Sequence, residues 1–169
     1  MKVIKNINKG WKFEDQNKVT HDIDLPHTWN GIDGQDGGAD YYRGTLKYTT
    51  TFDLNEDVNT HDIYLEFKAV NASATVYLND KLVGKHDGGY SAFRFDITKF
   101  VKPHNELVVL VDNSENDRVY PQKADFTFYG GIYRDVNLLI LDKAHFDYDY
   151  FGALPIKIDP VVSNNEDKV

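Results

Sequence analysis

The chain contains no cysteine, and its only methionine is the first residue. A disulfide framework, a thiolate zinc site and a cysteine nucleophile are therefore excluded, while the redox compartment is left open. No apolar run approaches the ~20 residues that a membrane-spanning helix requires. Met1-Lys2-Val3-Ile4-Lys5-Asn6 leads into polar sequence without the apolar core of a signal peptide, so a cytoplasmic location is the default expectation. Positive charge is also scarce. The 19 Lys and Arg face 27 Asp and Glu, for a formal charge of −8. That balance speaks against nucleic acid and anionic membranes as partners. A sustained helical repeat is missing as well; Asp96-Ile97-Thr98-Lys99-Phe100 allows one turn at most.

Apolar and aromatic residues are plentiful, at 41% and 14% of 169 residues. A chain of this size and content can bury a core without help from disulfides or a metal. Its pattern has period two. Leu46, Tyr48 and Phe52 alternate with polar neighbours. Ile63, Leu65, Phe67 and Ala69 alternate with Tyr64, Glu66 and Lys68, which are expected to point away from the core. Ala74, Val76 and Leu78 continue the theme, as do Phe93, Phe95 and Ile97, and finally Val136, Leu138 and Ile140. Leu107-Val108-Val109-Leu110-Val111 is continuous and predicts a strand covered on both faces. Asn79-Asp80 between two apolar runs predicts a tight hairpin turn. Short strands about every 10 residues with turn signals between them make the fold all-β, an antiparallel sandwich of jelly-roll type.

One stretch has binding chemistry, Ala124-Asp125-Phe126-Thr127-Phe128-Tyr129-Gly130-Gly131-Ile132-Tyr133-Arg134-Asp135-Val136. Aromatic rings can lie along the apolar face of a sugar, and a carboxylate can accept hydrogen bonds from two adjacent hydroxyls. A few placed polar groups in apolar surroundings is the usual make-up of a small-ligand site. The plainer alternative is an aromatic loop over one end of the sandwich, with Asp125 solvated. Arg134-Asp135 reads as an ion pair at a strand start. Leu25-Pro26-His27-Thr28-Trp29-Asn30 reads as a proline turn beside a buried tryptophan.

Catalytic signals are absent. Glycosidic cleavage needs two carboxyls held ~5–10 Å apart, one of them a poised acid, and none of the six glutamates or the aspartates sits in such a setting. The six histidines show no metal-ligand spacing, and no serine elbow or phosphate loop occurs. Asp33, Asp36 and Asp40, or Asp112, Glu115 and Asp117, have the oxygen chemistry for Ca²⁺ but not the spacing of an EF-hand loop. No metal, no cofactor and no catalytic residue is assigned.

Several pieces occur in one fixed order: Leu25-Pro26-His27-Thr28-Trp29, Tyr41-Tyr42-Arg43-Gly44, Ala74 to Asn79, His86-Asp87-Gly88-Gly89-Tyr90, Ser91-Ala92-Phe93, Val111-Asp112-Asn113, and Asp125 to Val136. In that order the chain resembles the N-terminal sugar-binding domain of glycoside hydrolase family 2, the β-galactosidase and β-glucuronidase family. The resemblance runs from about Trp11 to Leu141. It implies a galactose-binding-type jelly roll over residues 1–145. Residues 146–169 would form a linker into an immunoglobulin-like domain, followed by a (β/α)₈ barrel that carries the catalytic glutamates. Asp125 would be the family's aspartate that binds hydroxyls of the terminal sugar. Arg43 lies near the place where the family supplies a second substrate contact. Here the chain departs from the pattern, with Thr45-Leu46-Lys47-Tyr48 where many relatives carry an aromatic pair. The implied parent is a homo-oligomeric, retaining β-galactosidase-like enzyme acting on a terminal β-galactoside. The neighbouring alternatives are a β-glucuronidase, a β-mannosidase, or a free-standing carbohydrate-binding module.

Overall fold

The computed structural model describes residues 2–33, 41–120, 128–148, 153, 156–162 and 167–168. Among them there is no helix, and the strands in order are β1 (Lys2–Asn6), β2 (Trp11–Glu14), β3 (Thr20–Ile23), β4 (Thr45–Asp53), β5 (His61–Phe67) and β6 (Ser73–Leu78). Then follow β7 (Lys81–Asp87), β8 (Phe93–Asp96), β9 (His104–Asp112), β10 (Val136–Asp142), β11 (Val161–Val162) and β12 (Asp167–Lys168). One antiparallel sheet has the order β1-β10-β5-β8, a second β3-β2-β4-β9-β6-β7, and β11 pairs with β12. The chain crosses between the two larger sheets at β1–β2, β4–β5, β5–β6, β7–β8, β8–β9 and β9–β10, the long-range pairing of a jelly roll.

The core is the set of side chains that the period-two pattern points inward. Leu46, Tyr48 and Phe52 of β4, Ile63, Leu65 and Phe67 of β5, and Leu107, Val109 and Val111 of β9 meet Val136, Leu138 and Ile140 of β10 in one cluster. Trp11 and Phe13 join it from β2. Fully burying each such side chain is worth roughly 1.5–3 kcal/mol. The β6–β7 hairpin turns on Asn79 and Asp80, both left-handed at φ 52° and 67°. Asn and Asp tolerate that region better than other non-glycine residues, which is why the turn works without glycine.

The structure corrects two strand expectations. β9 is not covered on both faces: Val108 and Leu110 lie only half-buried on the outer side of the six-stranded sheet. The strand buried throughout is β10, from Val136 to Leu141. Glu66 is the second correction. It points away from the sandwich core as expected, yet it is 3% exposed. Residues beyond β10 fold back over that outer face. Tyr148 packs on Tyr64, Leu139 and Leu141, and both Lys143 Nζ and His145 Nε2 reach Asp62, at 2.6 and 3.2 Å. Beneath this strap Glu66 accepts from Arg94 Nε at 2.7 Å, Lys68 Nζ at 2.8 Å and Asn137 Nδ2 at 3.2 Å. Burial pushes the Glu66 carboxyl up, but these three donors outweigh it and hold it below the ordinary range. Arg94 Nη1 also donates to Ala153 O at 3.0 Å.

Candidate functional site

Residues 128–131 precede β10, with Gly131 in an isolated bridge to Asn71, and successive carbonyls are captured one by one. Phe128 O accepts from the Tyr41 hydroxyl and, at 3.4 Å, from Asn113 Nδ2. Tyr129 O accepts from Asn71 Nδ2 at 2.8 Å. Gly130 O takes Thr28 Oγ1 at 2.8 Å and the Trp29 N–H at 3.3 Å. Gly131 O takes the Asn71 N–H at 3.1 Å, and the Gly131 N–H returns a bond to Asn71 O at 3.2 Å. A loop with every carbonyl paired has little freedom left, so whatever side chains it carries are held in place.

Two fully buried asparagines knot the neighbouring loops to it. Asn30 Oδ1 accepts from the Gly130 N–H at 2.7 Å and Asn113 Nδ2 at 3.2 Å, while its Nδ2 donates to Tyr42 O at 2.9 Å and Asp33 Oδ2 at 2.7 Å. Asn113 Oδ1 accepts from the Gly44 N–H at 2.9 Å. Buried amides persist only when so satisfied, and no buried side-chain polar atom among the described residues lacks a partner. The glycine pair is also sterically required. A Cβ on Gly130 would fall 2.0 Å from the Trp29 ring, and one on Gly131, at φ +139°, would fall 2.4 Å from His27 O. Trp29 is half-buried rather than buried, stacked at 9° on Phe13 with centroids 6.1 Å apart. His27 Nδ1 meets the Tyr48 hydroxyl at 2.8 Å, and burial lowers the His27 pKa, keeping it neutral at pH 7.

Arg43 belongs to this end of the sandwich. Its Nε donates to Asn113 O at 2.7 Å, and its guanidinium carbon lies 5.8 Å from the Tyr41 ring centroid and 5.6 Å from that of Phe128. Burial raises the Tyr41 pKa, so its hydroxyl stays a donor. Tyr90 and Tyr129 present exposed rings nearby. Tyr133 reaches across to donate its hydroxyl to Gly89 O. Asp125 lies outside the described residues, as do Phe126 and Thr127. The expected Arg134–Asp135 pair is not formed: the Asp135 carboxylate accepts from Asn8 Nδ2 at 2.7 Å instead. Neighbouring residues in extended chain project to opposite sides, which keeps the two apart.

Among the described residues no group of three His, Asp or Glu side chains is gathered as a metal site would need. Asp112 Oδ1 is taken by the Ser114 N–H at 2.7 Å, and Asp33 by Asn30. Asp36 and Asp40 lie outside the described residues. Sequence reasoning passed over the roles of Asn30, Asn71 and Asn113. Asn71 alone carries a signal, an asparagine set between the buried apolar residues Val70 and Ala72.

This jelly-roll sandwich gathers aromatic loops with paired carbonyls at one end, and loops held on a rigid scaffold are where proteins commonly carry functional residues. Residues 11–142 match the model of glycosyl hydrolases family 2, sugar binding domain, and the chain belongs to that family. It is 40% identical over 169 residues to a β-glucuronidase of Bacteroides fragilis, covering 96% of this chain and 24% of that protein. It is 32% identical over 154 residues to a β-galactosidase of Thermoanaerobacter pseudethanolicus, covering 88% and 21%. Among solved structures, an FMN-binding β-glucuronidase from Facaelibacterium prausnitzii L2-6 superposes with a TM-score of 0.88 at 40% identity. That match covers 95% of this chain and 26% of the other. The chain thus spans about a quarter of the length of these relatives.

Proposed function

We propose that this domain forms one wall of the sugar pocket in a longer retaining β-glycosidase. The catalytic carboxyls would lie in a barrel outside this chain, with an immunoglobulin-like domain between. The family match over residues 11–142 carries the reading. In it, Asp125 binds hydroxyls of the terminal sugar, and Arg43, steadied by Asn113 O and two rings, adds a second polar contact. The clamp on residues 128–131 supports this role, because preorganised groups lose less freedom when substrate arrives.

The terminal sugar in this reading is a β-glucuronide, since the β-glucuronidase relatives reach 40% identity. A β-galactoside is the second reading, favoured by relatives of that name at 32%. The full-length protein should therefore hydrolyse nitrophenyl β-glucuronide with a higher kcat/KM than the β-galactoside. The opposite order establishes the second reading, and hydrolysis of neither overturns both.

A further inference from the structure

Pro26, Lys68, Ala92, Tyr133, Arg134 and Asp135 line an open depression of about 470 Å³ beside the clamped 128–131 segment. The four arginines of the chain differ in one respect. Arg43 donates to Asn113 O, Arg94 to Glu66 and Arg118 to Asp87. Arg134 is exposed and makes no hydrogen bond or ion pair with any described residue, although the chain carries 27 acids. Its guanidinium carbon lies 5.5 Å from the centroid of Tyr133, whose hydroxyl is itself fixed on Gly89 O. Asp135, next to it in the chain, accepts from Asn8, and Glu66, which Lys68 reaches from the wall of the depression, is held by Arg94, Lys68 and Asn137.

We propose that this depression docks a carboxylate side chain from the part of the polypeptide outside this chain, with Arg134 as the receiving group. The inference rests on the reading above that the domain belongs to a longer protein. Its occupant follows from two facts. Of the charged side chains that line it, Lys68 is paired with Glu66 and Asp135 accepts from Asn8, which leaves the exposed Arg134 guanidinium as the charge that calls for an acid. Its walls of Pro26, Ala92 and the Tyr133 ring are apolar and open, the shape of a surface that meets another protein surface rather than one that closes on a small anion. An arginine already resting on an aromatic ring gives up little freedom on pairing, and its planar fork fits a carboxylate through two parallel bonds. The relatives extend some four to five times the length of this chain, which supplies a surface to carry the acid.

The test is modification of arginine by phenylglyoxal, mapped by mass spectrometry and normalised to acetyl-arginine in the same tube. Arg134 should react at the rate of an exposed arginine in this chain alone, and at least 10-fold more slowly in the full-length protein. In parallel, Arg134→Glu should leave the melting temperature of this chain unchanged and lower that of the full-length protein by several degrees, with Arg134→Gln between. Equal reactivity in both contexts, or an unmoved full-length melting temperature, overturns the proposal. So does protection of Arg134 in this chain alone on adding free glucuronate, since the residue would then serve a sugar. None of these readouts uses hydrolysis, so failure of the glycosidase reading is seen separately in the activity assay.

Discussion

Glu66 and Leu65 are neighbours on β5 that face opposite sides of the sheet, and both should be costly to remove. Leu65 is fully buried between the sheets, so Leu65→Ala should cost roughly 2–5 kcal/mol as core truncations do. An acid on the outer face of a sheet is ordinarily dispensable. Here, Glu66→Ala would leave Arg94, whose side chain is 10% exposed, without its carboxylate, and strip Asn137 Nδ2 of its acceptor. Breaking a buried pair from one side costs roughly 3–5 kcal/mol, because the charge left behind is poorly hydrated. Lys68 is 44% exposed and can turn to water, so Lys68→Ala should cost about 1 kcal/mol at most. In a domain of this size about 1 kcal/mol corresponds to ~2–4 °C, so Glu66→Ala should melt roughly 6–20 °C below the parent. Urea titration and calorimetry of the three variants provide the comparison. A Glu66→Ala protein within about 0.5 kcal/mol of the parent would refute the closed strap over this face, since that is the range of ordinary surface changes.

Gly130→Ala should destabilise the chain by about 1–3 kcal/mol, because its Cβ meets the Trp29 ring and that ring is backed by Phe13; a silent substitution would mean Trp29 is free to move. Acid should weaken the fold in two steps, read as a falling urea midpoint. Burial lowers His27 and His86 in the folded state, so their contribution is complete above the unfolded value of about 6.5 and is lost as the pH falls below it. Glu66 is also depressed, so its share holds down to about pH 4.3 and is lost under that; a midpoint that rises as the pH falls from about 7 to about 5 would contradict the histidine assignment, and one that does not fall further below about pH 4.3 would contradict that of Glu66. Because the proposed reading places the catalytic carboxyls outside this chain, the chain alone should hydrolyse neither nitrophenyl β-glucuronide nor β-galactoside. Turnover that survives repurification would show otherwise.

The alternation in β4, β5, β6 and β10 was legible because a half-buried strand writes its core face directly into every second residue. The Asn79-Asp80 turn was legible for a comparable reason, since few residue pairs accept two left-handed conformations in a row. What covers a sheet from outside is not written into its strands. Glu66 looks like any solvated acid until residues 143–148, some 80 positions later and without periodic pattern, close over it. The same covering makes β10 the strand buried on both faces, while β9, the more apolar run, keeps one side half-open. At the candidate site, the structure gathers three of the ordered motifs, Leu25 to Trp29, Tyr41 to Gly44 and Val111 to Asn113, around residues 128–131. The asparagine knot was not legible, because an asparagine in a loop sequence has the same letter whether it is hydrated or buried among carbonyls. Arg134 and Asp135 were misjudged for a geometric reason: adjacency in sequence is not adjacency of side chains in extended chain.

The role proposed for Asp125 is the centre of the functional account, and one substitution tests it most directly. In the full-length protein Asp125→Asn keeps the shape of the side chain and removes its charge. A hydrogen bond to a charged group is worth about 1.5–3 kcal/mol. If that bond strengthens in the transition state, kcat/KM on the preferred nitrophenyl glycoside should fall roughly 10- to 100-fold, at about 1.4 kcal/mol per decade. The melting temperature of this chain carrying the same change should stay where it was. An unaltered kcat/KM, or a loss of activity that merely follows a loss of folded protein, would contradict the account.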